Sequence, residues 1–117
     1  MAREIEAFVE CPELRVRPYF RDQLARSAHS IAANIAEGLG RATPLDTASF
    51  LDRARGSLFE TDYWIGVLKA RGLVDSSTHA GWEQELGELN AMLMAVKKRL
   101  HERSDAARPR ARSRQGQ

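Results

Sequence analysis

The segment SIAANIAEG at residues 30–38, together with ARGSLFE at 54–60, constrains the fold of this chain most, because both set small and polar side chains inside strongly apolar helical runs. On a helix, Ser30, Asn34, Glu37 and Arg41 form one narrow polar line beside the apolar face of Ile31, Ile35 and Leu39. Arg53, Ser57 and Glu60 draw a similar line in the next apolar run. Polar groups inside a bundle are costly unless they hydrogen-bond, so the two lines are expected to meet across a helix contact.

No stretch alternates apolar and polar residues in the manner of a strand, and four helical segments account for the chain. The first is brief, with Ile5, Phe8 and Val9 on one face. It ends at Cys11-Pro12, since the residue before a proline is pushed out of the helical region. Pro18 opens the second, where Phe20, Leu24, Ser27, Ala28, Ile31, Ile35 and Leu39 share a face and Gly40 is the candidate left-handed terminal residue. Thr43 as N-cap, Pro44 at the first position and Asp46 in the first turn start the third, which should run to about Arg71 with Gly72 closing it. Asp75, Ser76, Ser77 or Thr78 caps the fourth. Its residues His79, Trp82, Leu86, Leu89, Leu93, Val96 and Leu100 recur at steps of three and four, the seam of helices crossing at about 20°. The expected fold is all-α: an antiparallel up-and-down four-helix bundle with a short first helix over residues 1–103, then a disordered basic C-terminal tail over 104–117.

The third segment carries more apolar surface than one core needs. Phe50, Leu51, Ala54, Leu58, Ile65 and Leu68 make one face, while Gly56, Phe59, Tyr63, Gly66, Val67 and Ala70 make a second stripe elsewhere on the cylinder. A helix apolar on two sides needs two neighbours, and the first segment is too short to cover the second stripe. Self-association is the expected cover: the glycines permit close backbone approach and the aromatics supply buried area. Packing of both stripes within one chain is the alternative.

With 117 residues the chain has room for one domain that folds without staples. Cys11, the sole cysteine, excludes an internal disulfide, and the start MAREIEAFVE lacks the apolar core of a signal peptide. With no run of about 20 apolar residues, a soluble cytoplasmic protein with no membrane association is expected. The net charge of +2 is unevenly spread: residues 1–103 hold 14 Lys and Arg against 15 Asp and Glu, while residues 104–117 hold four Arg against Asp105. Nucleic-acid contact is therefore assigned first to Arg108, Arg110, Arg112 and Arg114 in the tail, which can neutralise phosphates without reading bases. Arg15, Arg17, Arg21 and Arg26 are a second cluster.

Catalysis is not expected. His29, His79 and His101 lack the Glu-x-x-His spacing of di-iron bundles, His79 and Glu83 read as a solvated i, i+4 pair, and Cys11 has no histidine at fixed spacing. Gly38 and Gly40 follow a helix rather than a strand, so no phosphate-binding glycine loop is present. No cofactor and no metal are expected.

The stretches QLARSAHSIAANIAEGLGR (23–41) and SFLDRARGSLFETDYWIGVLKARGLV (49–74), and more loosely the fourth segment through Leu100, resemble the four-helix bundle protein family first recognised as products of intervening sequences in bacterial large-subunit ribosomal RNA genes. The resemblance implies an antiparallel bundle, commonly a homopentamer around a central channel, without catalytic activity. A related branch serves as the accessory protein of diversity-generating retroelements, where a basic pentamer contacts a reverse transcriptase and its RNA. Ser30, Asn34, Glu37, Gly38 and Arg41 match the family's first motif, and Arg55, Gly56, Ser57 and Glu60 its second; they are read as a structural polar network. The family usually reads SIPANIAEG, so Ala32 removes a proline kink, and its first helix is longer than the residues before Pro12 allow. Together these readings describe a non-enzymatic oligomeric adaptor in an RNA- or DNA-associated context, the alternative being a protein-protein scaffold whose tail is incidental.

Overall fold

The computed structural model describes Ile5 and residues 18–108. Among them are three helices and no strand: α1 (Pro18–Leu39), α2 (Pro44–Ala70) and α3 (Ser76–Ala107). The fold is therefore all-helical. The expected count of four is not established, because the first segment lies outside the described residues apart from Ile5, which is helical and 1% exposed within the core.

Local chemistry sets the element boundaries. Thr43 adopts an extended conformation and its Oγ1 accepts from the Asp46 N–H at 3.1 Å, while Pro44 fills a first-turn position whose N–H would have no helical partner. At the other end of α2, Gly72 has φ +72°, the Gly72 N–H donates to the Lys69 carbonyl and the Leu73 N–H to the Leu68 carbonyl. That pair of bonds closes the last carbonyls and needs a residue without a Cβ at position 72. Asp75 caps α3, accepting from the Thr78 N–H at 2.7 Å. Gly40, by contrast, is not left-handed. The chain leaves α1 through tight bonds from the Gly40 N–H to Glu37 and from the Arg41 N–H to Gly38, and these deliver it to the Thr43 cap without a positive φ.

α2 is the centre of the arrangement. It packs antiparallel against α1 on one side and α3 on another, and no Cα of α1 comes within 8 Å of one of α3. Leu51, Ala54, Leu58, Ile65 and Leu68 of α2 are each at most 2% exposed and join Leu24, Ala28 and Ile31 of α1, Trp82, Leu86 and Leu93 of α3, Val74 and Ile5 in one cluster. Each buried Leu, Ile or Val in it contributes on the order of 2 kcal/mol through removal from water. α1 runs unbroken through Ala32, where the resembling family has proline. Leu39, assigned to the inner face, is 73% exposed: Gly38 takes the place against α2, and Leu39 falls beyond the seam.

α3 is helical through Ala107, so residues 104–107 extend the helix rather than begin the tail. Two alanines in its last turn favour that continuation, and the Arg108 N–H closes it on the Asp105 carbonyl. Residues 109–117 lie outside the described residues.

Candidate functional site

Of the polar lines, two members meet across the α1–α2 seam: the Ser30 and Ser57 hydroxyls are 2.7 Å apart. Asn34 does not cross; its Nδ2 donates back to the Ser30 carbonyl at 2.9 Å and to Ser30 Oγ at 3.1 Å. One turn earlier, Thr61 Oγ1 lies 3.0 Å from Ser27 Oγ and donates to the Ser57 carbonyl at 2.8 Å, both residues being fully buried. Glu60 pairs with Arg26 and accepts from Trp64 Nε1 at 3.2 Å. Arg53, expected beside Ser57 and Glu60, instead lies over the Phe50 ring at 4.5 Å.

At the α1–α2 turn, Gly38 provides the close approach. A Cβ there would sit 2.9 Å from Phe50 Cβ and 3.3 Å from the Thr47 carbonyl, and Thr47 Oγ1 donates to the Gly38 carbonyl at 2.9 Å. Arg41 binds Glu37 at 3.2 Å, the expected i, i+4 pair, and also Asp46 at 3.0 Å. The Asp46 hydrogen bond holds the Arg41 guanidinium above its ordinary pKa. Each of these contacts engages groups within the chain.

Gly56 stands apart from that network. It is exposed, nothing lies within 4 Å of the position its Cβ would take, and no closer α1–α2 approach depends on it. Gly66 is likewise open. The stripe to which both belong is largely bare: Phe59 is 54% and Tyr63 62% exposed, Ala70 is exposed and Val67 half-buried. Phe59 borders a groove of about 120 Å³ between α2 and α3, with Leu58, Asp62, Glu83, Leu86, Gly87 and Asn90. Asp62 Oδ1 is buried in that region without a hydrogen-bond donor among the described residues. Tyr63 stacks edge-on against Trp64 at 5.0 Å, and Trp64 against Tyr19 at 5.7 Å, so the aromatic surface runs on to the start of α1.

Arg55 points toward α3. Its Nε donates to Asn90 Oδ1 at 2.9 Å and Nη1 to Asp52 Oδ1 at 3.1 Å, while Lys97 Nζ reaches the same Asp52 oxygen at 2.9 Å. The Lys97 ammonium holds the Asp52 carboxyl below the usual carboxylate range. This second network was missed from the sequence; Asp52 and Arg55 at i, i+3 are the one local signal for it.

The sequence-assigned basic residues are dispersed in their use. Arg21 binds Asp22 at 3.0 Å, Arg26 is tied to Glu60 and to Gln23, and Arg108 lies 3.5 Å from Asp105. Arg15, Arg17, Arg110, Arg112 and Arg114 lie outside the described residues. Among the described residues no three His, Cys, Asp or Glu side chains are placed to share a metal ion. His79 is 8% exposed on the α3 seam, in line with its spacing to Trp82 and Leu86, and 4.0 Å from Glu83; of that i, i+4 pair only Glu83 is exposed to solvent. No described helix is long and apolar enough to cross a membrane.

The chain is similar to a known protein family and to solved structures. The family model of the 23S rRNA-intervening sequence protein matches residues 2–95. A crystal structure of a protein with unknown function from the S23 ribosomal protein family of Bacteroides thetaiotaomicron VPI-5482 is 26% identical in sequence. It covers 68% of this chain and 73% of its own, with a TM-score of 0.65. No curated protein matches.

Proposed function

The chain belongs to the 23S rRNA-intervening sequence protein family, and we propose that it is a non-enzymatic adaptor that assembles through the outer stripe of α2, as a homopentamer, in an RNA- or DNA-associated context. The observation that carries this reading is the bare aromatic surface of the central helix. Phe59 and Tyr63 are more than half exposed although α2 already has a neighbour on two sides. Rings of that size in a contiguous patch mark contact surfaces.

The nucleoprotein half of the proposal draws on the arginines from Arg108 onward, whose one described member carries only a 3.5 Å partner at the surface. Several tails in one assembly would multiply a weak attraction to phosphates. A protein partner such as a reverse transcriptase would be held by the same particle. The interface is tested by Phe59→Asp, which would bury one unpaired carboxylate per subunit. Native mass should fall to that of a single chain with helix content retained; an unchanged oligomer would remove this stripe as the interface.

A further inference from the structure

Between α2 and the closing turns of α3 lies an open cleft of about 200 Å³ lined by Arg55, Met94, Lys97, Lys98 and His101. The four α3 residues are spaced i, i+3, i+4 and i+7, so they share the face turned toward Arg55. Asp52 is the carboxylate in contact with these cations, and it accepts from both Arg55 and Lys97. Arg55 is fixed further by Asn90, with Nη2 left without a hydrogen bond among the described residues. Lys98 and His101 are exposed and make no ion pair among the described residues.

Two consequences follow from this placement. Among the lining side chains and Asp52, the permanent cations Arg55, Lys97 and Lys98 face a single carboxylate, which leaves the cleft wall net positive. Arg55 and Lys97 are also held in position, so an anion arriving there need not order them, and Met94 and the aliphatic stems line the cleft with apolar surface that strengthens the attraction. A phosphate group, with several acceptor oxygens and up to two charges, matches that donor set better than a lone carboxylate does.

We infer that this cleft is a phosphate-binding site, taking either a free phosphate compound or the backbone phosphate of a nucleic-acid strand. For a strand, the inference rests on the nucleoprotein reading above and moves the contact from the tail to the folded body. Arg55 Cζ lies 5.8 Å from the Phe59 ring centroid, so the cleft borders the stripe proposed to join copies, and assembly would repeat it around the particle.

The test uses the full chain and two probes: a labelled 15-nucleotide single-stranded RNA followed by anisotropy across a salt series, and inorganic pyrophosphate followed by the His101 ring resonances in NMR. Lys98→Ala removes an exposed cation without touching the core. It should weaken RNA binding about fivefold at 0.1 M salt and lower the salt slope by about 0.7, while Asp52→Asn should tighten it. Replacing Arg110, Arg112 and Arg114 by serine should leave the response of His101 to pyrophosphate intact. If RNA does not bind but pyrophosphate shifts His101 in a Lys98-dependent way, the site stands with a small phosphate as its ligand and the nucleoprotein reading falls. If RNA binds with equal strength to Lys98→Ala, Asp52→Asn and the native chain, or if neither probe perturbs the cleft, the inference is overturned.

Discussion

The two seams made by α2 are built from different chemistry. Toward α1 it presents hydroxyls and a close approach: Ser27 and Thr61 are fully buried, Ser30 and Ser57 touch, and Gly38 brings the backbones together near Phe50. Toward α3 it presents a rim of charge, with Asp52 shared by Arg55 and Lys97 above the buried Leu58 and Leu86. Small side chains with their hydrogen bonds satisfied inside the seam fix one helix against the other at short range, and any added volume there must displace backbone. Half-exposed ion pairs at a rim are screened by water and tolerate change. The α1–α2 seam is thus the one closed by buried hydroxyls and a close backbone approach, and the α2–α3 edge is the one that carries half-exposed charge.

Substitutions can break or sharpen that contrast. The largest effect is expected from Gly38→Leu, whose Cβ alone would lie 2.9 Å from Phe50 Cβ and 3.3 Å from a carbonyl; thermal unfolding should show a loss of about 3 kcal/mol. Thr61→Val keeps the shape and removes the hydroxyl that meets Ser27, so denaturant unfolding should show about 1 kcal/mol lost. A cycle with Ser27→Ala should reveal coupling between the two sites. On the other seam, Asp52→Asn should cost less than either at neutral pH, because the carboxylate is 47% exposed. Equal losses on both seams would erase the distinction.

The smallest effect is one of pH. Asp52 is held below its ordinary value of 3.8 by the Lys97 hydrogen bond, and Asp75 by the Thr78 backbone N–H. A carboxyl with a depressed folded-state pKa contributes stability that is present above 3.8 and lost as pH falls through the folded value. Melting temperature should therefore hold steady down to about pH 4 and decline below it, and the decline should be shallower in a chain carrying Asp52→Asn and Asp75→Asn. A decline equally steep in the doubly substituted chain would remove these two carboxyls as its cause.

The sequence carried the punctuation of this fold well. Thr43, Pro44 and Gly72 act at helix ends through interactions within a few residues, which is why each could be read locally, and the α3 cap was narrowed to four residues of which Asp75 is the one used. It also showed that Ser30 and Ser57 lie on facing polar lines, since periodicity fixes which residues share a face. Rotation and register across a seam are not local quantities. Ser27 thus read as one more small core residue until Thr61 was seen beside it, and Arg53 turned to Phe50 rather than to α1. The Asp52, Arg55, Asn90 and Lys97 network joins positions 35 and 45 residues apart, and the i, i+3 spacing of Asp52 and Arg55 signals only its part within α2. Arg26 shows the same gap: it counted as free positive charge in the sequence, whereas in the fold it is bound to Glu60.

That contrast leaves the third face of α2 as the surface on which the proposed activity depends. Sedimentation of the full native chain over a range of concentrations tests it most directly. The account predicts one discrete multimer, pentameric in mass, that Phe59→Asp converts to single chains. A native chain that sediments as a monomer at the highest concentration reached would contradict it.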